Sequence, residues 1–227
     1  SRPLSVVAVS LKNNGHGLDP DRTIGILVRD GLTHILGIDD ERAAWAAVGV
    51  DLDPVGPATL ALGVDPRIDS VEPSWITRRR LESLDLGHLT DRTVFVCENP
   101  AIVAVAANEL GPQCAPLVCT SGMPGHSTQL LLERLVTTGA DVVAHTDFDV
   151  GGMVIAAFLF GHIGAAPWRL SADDYLDALD HPTIPIGGRV AATPWDPELA
   201  VAMNERRRAV HEEVIVDVLL ADLDEPR

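Results

Sequence analysis

The chain has 227 residues, 46% of them hydrophobic, and a formal net charge of -16. That is enough for one generous domain or for a domain with a smaller appendage, and no apolar stretch reaches the roughly 18 residues of a membrane span. The charge repels a polyanion, so nucleic acid is a poor partner on charge alone, except where carboxylates hold divalent cations that remove the negative field locally.

The N-terminal SRPLSVVAVS lacks the long apolar segment and cleavage site of a secretory signal. Cys97, Cys114 and Cys119 show no CxxC spacing and lie in or beside apolar runs. Buried reduced thiols in a cytoplasmic protein are the expectation, with no membrane partner. Residues 1–90 are punctuated by Pro and Gly. VVAVSL (6–11), TIGILV (23–28) and ATLALGV (58–64) read as short strands between the turn signals NNGHG, DG and DPVGP. DDERAAWAAVG reads as a helix capped by Asp39 or Asp40, and ITRRRLESL as a second helix, giving a small α+β segment. The triplets Arg78, Arg79, Arg80 and Arg206 to Arg208 are the concentrated positive charge; solvated helix faces are the first reading and phosphate anchoring the second.

From residue 91 to 181, short apolar runs alternate with helical stretches. TVFVC (93–97) is a buried strand, and Asn99 with Pro100 caps and starts the helix AIVAVAANEL. PLVC (116–119) is a strand with the loop TSGMPGHS, and STQLLLERLVTTG is a helix closed by Gly139. DVVAH (141–145) is a third strand, followed by Asp147, Asp149, Gly151, Gly152 and the helix MVIAAFLFGHI. PWRL (167–170) reads as a fourth strand and SADDYLDAL as a capped helix. The order implies a parallel sheet with helices on both faces. Residues 182–227 read as the linker IPIGGRVAATPWDP and one long helical extension begun by Asp196 and Pro197. Its Val210, Val214, Val218 and Leu219 would form a stripe packed on the sheet domain or on a partner.

In an open parallel sheet, ligands bind beyond the carboxyl ends of the strands. Glu98 ends TVFVC, and Asp147 and Asp149 follow DVVAH, so both acidic sites fall on that edge. Three carboxylates converging there suit a hard divalent cation bridging to phosphate oxygens. Asp149 equally suits a helix cap, and both readings stand on sequence. The Gly151–Gly152 pair allows close backbone approach to a ligand and a helix N-terminus aimed at an anion. Ser121 and Gly122 end the middle strand, where backbone N–H groups can hold phosphate. His145 is a candidate for phosphate contact or proton shuttling, although a satisfied strand-end histidine is the commoner case. Glu212 is a candidate extra ligand from the terminal helix, or else part of a solvated face. Trp168 and Trp195 read as packing residues.

A strand ending in Glu, followed after about 50 residues by a strand ending in DxD and a Gly-led helix, resembles the Toprim domain of topoisomerases, primases and several nucleases. TDFDVGGMVIA is similar to the DxDxxG stretch of the topoisomerase VI and meiotic-recombination branch. CENPAIVAVAA, PLVCTSGMP, HTDFDVGG, PWRLSADDY, TPWDPELAVAM and HEEVIVDVLLADL, over residues 91–223, together resemble the Toprim nuclease subunit of Wadjet-type SMC plasmid-defence systems. The resemblance implies a Toprim-like sheet and an Mg2+- or Mn2+-dependent endonuclease that cuts circular plasmid DNA. It further implies work as a homodimer beside an SMC complex, with Glu98, Asp147 and Asp149 as the metal-binding and catalytic acids. It also implies a longer subunit carrying an N-terminal winged-helix region, for which this chain is too short. The single tyrosine, Tyr175, lies downstream of the acids in a predicted helix, so metal-assisted hydrolysis is expected rather than attack by tyrosine. The competing expectations are an inactive Toprim-like scaffold that docks its C-terminal helix on an SMC partner, and a primase or RNA-processing activity on the same acids.

Overall fold

A computed structural model describes residues 2–12, 14–19, 21–52, 58–68 and 71–224, with backbone only at 12 and 51. The chain forms two compact units, Ser1–Pro57 and Ala58–Arg227. The first holds β1 (Arg2–Pro3), α1 (Leu4–Lys12), α2 (Thr23–Leu36), α3 (Glu41–Ala47) and β2 (Val50–Asp51), with β1 and β2 paired in parallel. The two runs expected as strands here are therefore helices, and the DG turn signal lies inside α2. A short apolar run cannot be assigned by composition alone. Its neighbours decide: Leu4 and Ala8 in α1, and Val28 and Leu32 in α2, stand one turn apart and pack with Leu18, Trp45 and Val50. The cap of α3 is as expected, Asp40 Oδ1 accepting the Ala43 N–H at 2.7 Å. The DPVGP signal lies outside the described residues.

The second unit is α/β. Its elements begin with β3 (Ala58–Leu62), β4 (Ser74–Thr77), α4 (Arg78–Ser83), β5 (Thr93–Cys97), α5 (Pro100–Glu109), β6 (Leu117–Cys119) and α6 (His126–Thr138). They continue with β7 (Asp141–Ala144), α7 (Val150–Phe158), β8 (Ala166–Pro167), α8 (Ala172–Ala178), β9 (Ile184–Pro185), α9 (Pro197–Arg206), β10 (Arg208–Ala209) and α10 (Val216–Leu223). The six-stranded sheet has the order β4-β3-β6-β5-β7-β8. β6, β5, β7 and β8 run parallel, and β3 pairs antiparallel with both β6 and β4. Because β3 and β4 belong to this sheet, the units divide at 57/58 and not at 90/91.

Period-2 alternation splits the central strands between two cores. Cys97, Leu117 and Cys119 face one core with Ile102, Val103 and Ala106 of α5. Val94, Val96, Val118, Val142 and Ala144 face the other with Leu131, Leu132 and Leu135 of α6. Burial on both faces is why these strands read as near-continuous apolar runs. Among the described residues, no helix is long and apolar enough to cross a membrane.

The expected single terminal helix is broken. Arg207, at φ 55° and ψ 34°, ends α9 in the left-handed region, and β10, a short turn at Glu212–Val214 and α10 follow. The backbone groups of this stretch have partners elsewhere: β10 pairs with β9, and Val210 pairs with Phe148. Such tertiary partners outweigh a continuous helix. The apolar residues of α10, Leu219, Leu220 and Leu223, are buried in the core of the same unit, and Ala115 N–H donates to the Leu223 carbonyl at 2.8 Å. The stripe Val210, Val214, Val218 and Leu219 thus packs on the core of the sheet domain.

Candidate functional site

Among the parallel strands, chain order runs first to one side of β5, to β6, and then to the other, to β7 and β8. The crevice where such an order reverses, beyond the carboxyl ends of β5 and β7, is where doubly wound sheets bind ligands. Glu98 follows β5 directly, and residues 145–149 follow β7.

The loop after β7 is folded back tightly on α7. Asp149 Oδ1 accepts the Gly152 N–H at 2.7 Å, and the Thr146 hydroxyl donates to the Gly152 carbonyl at 2.9 Å. A Cβ on Gly152 would stand 2.0 Å from the Asp147 carbonyl oxygen, so no larger residue fits. The close approach that requires glycine is to this loop's own backbone, and Gly151, which is exposed, starts the same turn. Between the two aspartates Phe148 points into the core and exchanges backbone hydrogen bonds with Val210, at 2.8 and 3.3 Å. That bridge carries residues 211–213 to the site.

Three acids then close a ring. Glu98 N–H donates to both oxygens of Glu212, at 2.9 and 3.0 Å. Glu212 N–H donates to Asp147 Oδ1 at 2.7 Å, and Asp147 N–H donates to Glu98 Oε2 at 3.2 Å. Asn99 N–H adds a 2.6 Å bond to Glu212, and the Asn99 side-chain amide donates to Glu213. Each acid thus uses its main chain to hold the next acid's carboxylate, tying the ends of β5 and β7 to the segment after β10. Charge-assisted bonds of this kind are stronger than neutral ones.

Among the described residues, no lysine or arginine forms an ion pair with these acids. Burial and then the charge of Asp147 raise the Glu98 pKa to about 7. Burial also raises Asp147, against the lowering effect of the Glu212 N–H and of His211. Glu212, fully buried, is raised well above the usual carboxylate range by burial, although two backbone N–H groups oppose this.

Asp147 and Asp149 do come together, and the third group beside them is His211: one donor atom from each lies within 4.8 Å of the others. Glu98 flanks this trio through its bond to Asp147 and is not within it. Glu212 is likewise outside it, since its oxygens serve the backbone of Glu98 and Asn99. The sequence reading passed over His211. A histidine next to paired glutamates was a visible signal, but only the Phe148–Val210 bridge says which strand end it meets.

Other candidates divide. His145 is fully buried, its Nδ1–H donating to the carbonyls of Trp168 and Arg169 at 3.1 and 3.0 Å. Burial lowers its pKa to about 4, so it is neutral at physiological pH and offers no charge to a phosphate. Ser121, exposed, and Gly122 are both left-handed, at φ 53° and 87°, on the crevice edge, where the Cys119 thiol donates to the Glu98 carbonyl at 3.3 Å. A non-glycine residue held at positive φ is a strained feature of the kind that clusters at binding sites.

The antiparallel turns of β3 put the carboxyl end of β4, and hence Arg78, Arg79 and Arg80, on the same sheet edge. At strand spacings near 4.8 Å they lie roughly 14 Å out from β5. Arg80 is paired with the buried Asp65 by two bonds of 2.6 Å, and Arg78 approaches Glu82 at 4.0 Å. Arg79 is exposed. Tyr175 is buried and its hydroxyl donates to the Arg208 carbonyl at 2.7 Å, away from attack on any substrate. A cavity of about 190 Å3 beside Phe148 is lined by Arg169, Asp174 and Ala178 among others and by none of the clustered acids.

Fold and site define a doubly wound α/β protein with an acidic crevice at its topological switch point. Residues 74–223 match the family described as "Protein of unknown function C-terminus (DUF2399)", and the chain belongs to that family. No curated protein matches it significantly.

Proposed function

We propose that this chain is a divalent-metal-dependent DNA endonuclease of the Toprim kind, acting in the cytoplasm within an SMC-type plasmid-defence complex. The observation that carries the reading is the ring of Glu98, Asp147 and Glu212 at the switch point, set beside Asp149 and His211, with no lysine or arginine among the described residues ion-paired to it. Converging carboxylates without a counter-charge are costly in a folded protein unless a cation completes them.

The donor set fits such an ion. Oxygen–metal distances near 2.1 Å allow two ligands up to about 4.2 Å apart, and the three donors within 4.8 Å need only a small closure. Asp147 and Asp149 each have one oxygen held by a backbone N–H, which leaves the other for the ion. A bound Mg2+ or Mn2+ would activate water and stabilise charge on the leaving oxygen of a phosphodiester. Glu98, with its pKa near 7, is matched to take up the proton that the attacking water gives up. Ser121 and Gly122 border the crevice with an open turn suited to backbone contact with phosphate, and Arg79 offers a cation on the same edge.

DNA as the substrate, its circular form, the SMC partner and a homodimer rest on the sequence resemblance, which runs through the matched 74–223 region. The test is nicking of supercoiled plasmid by the full chain with its SMC partners, with and without Mg2+ or Mn2+. Cleavage should need the ion and should be lost in Asp147→Ala and Glu98→Gln. Plasmid exclusion that survives both substitutions would end the proposal.

A further inference from the structure

Resting on the metal-dependent reading above, we infer that His211 supplies a nitrogen ligand to the ion held by Asp147 and Asp149, and that the site therefore takes Mn2+ in preference to Mg2+.

The backbone of His211 is fixed on both sides. Val210 before it exchanges two hydrogen bonds with Phe148, and Glu212 after it donates its N–H to Asp147. The backbone that carries the imidazole is thus tied to the segment that carries the two aspartates, so little main-chain ordering remains on binding. Among the described residues, no hydrogen bond or ion pair joins the His211 ring to either aspartate, although the donor atoms lie within 4.8 Å. The three groups are near enough for an ion to bridge them after a small closure, with no direct bond from the ring to either carboxylate. His211 is half-buried, as are Asp147 and Asp149, so the trio opens to the crevice.

The donor chemistry decides which ion. A site of oxygen donors alone suits Mg2+, which keeps most of its waters and is indifferent to imidazole. One nitrogen donor beside two carboxylates favours first-row transition ions, and Mn2+ is the member of that series that also accepts carboxylate and water ligands readily. Removing the imidazole should therefore weaken Mn2+ much more than Mg2+.

The full chain is titrated with Mn2+ alone, with Mg2+ as competitor, and the bound Mn2+ is examined by pulsed electron paramagnetic resonance for coupling to 14N. Nitrogen coupling is expected in the wild type and not in His211→Ala. That variant should lose about tenfold or more in Mn2+ affinity while Mg2+ affinity moves much less. His211→Asp, which exchanges nitrogen for oxygen, should bind both ions without the Mn2+ preference, and it controls for a variant that merely misfolds. Nitrogen coupling that persists in His211→Ala, or Mn2+ affinity unchanged by it while Asp147→Asn abolishes binding, overturns the role of His211 and leaves the metal site standing. A wild-type chain that binds neither ion overturns both.

Discussion

Glu98 is under two demands. Its main chain must feed Glu212, and its carboxylate must receive Asp147 while facing that residue's charge. A carboxyl raised from 4.5 to about 7 holds its proton more tightly in the folded state than in the unfolded one. Its contribution to stability is therefore complete below pH 4.5 and is lost as pH rises through about 7. Glu98→Gln keeps an oxygen to accept the Asp147 N–H and removes the charge. Thermal melts of the metal-free protein should show the variant more stable than wild type above pH 7 and no better below 4.5, with cleavage abolished. A variant that melts lower at high pH would contradict the charge conflict. Burial raises Glu212 as well, but its substitution is governed by hydrogen bonds. Its two oxygens serve the N–H groups of Glu98 and Asn99, and Glu212→Gln turns an NH2 towards those donors. Denaturant titration should show a loss of about 1–3 kcal/mol, the cost of an unsatisfied buried donor. A neutral result would mean that the ring adds little to the fold.

At the scale of elements, the first turn of α7 is pressed onto the loop that precedes it. Gly152→Ala would force the Asp147 carbonyl away from a methyl group otherwise 2.0 Å distant. The expected cost is about 1–3 kcal/mol of stability. Because Asp147 moves with its backbone, the expected loss in cleavage rate is on the order of 10²-fold. Equal rates would show that the loop tolerates the shift. Much of this level was legible in the sequence: Asn99, Asp40 and Ser171 cap helices where residue type and position said they would, and Gly139 closes α6. Where reading failed, the cause is identifiable. VVAVSL and TIGILV have strand-like composition, but α1 and α2 bury only one stripe, which a window of six residues cannot reveal. The tail from Pro197 has good helical propensity throughout, yet pairing with β9 and with Phe148 breaks it at Arg207.

For the whole molecule, the charge of -16 and the unneutralised crevice point to one remedy. A ligand that binds only the folded state raises stability by about 2.7 kcal/mol at a hundredfold excess over its dissociation constant. Mn2+ or Mg2+ should therefore raise the melting temperature and EDTA should reverse the gain. The gain should be larger above pH 7 than below 4.5, because Glu98, which borders the trio, is then charged and adds to the negative field that holds the ion. A melting temperature indifferent to these ions at every pH would leave the crevice without the cation that its acids call for.

The sequence by itself determined the parallel α/β core, the caps that start its helices, and the presence of Glu98, Asp147 and Asp149 on one sheet edge. These follow from local periodicity, from residue types at strand ends and from the rule that parallel strands share an edge. Only the tertiary structure decided which side chains meet there. It brought His211 to the aspartates, assigned Glu212 to the backbone of Glu98 and Asn99, and made Asp149 both a helix cap and a member of the trio. The physical reason is the backbone bridge between Phe148 and Val210, residues 62 apart in sequence, a pairing that no local pattern encodes.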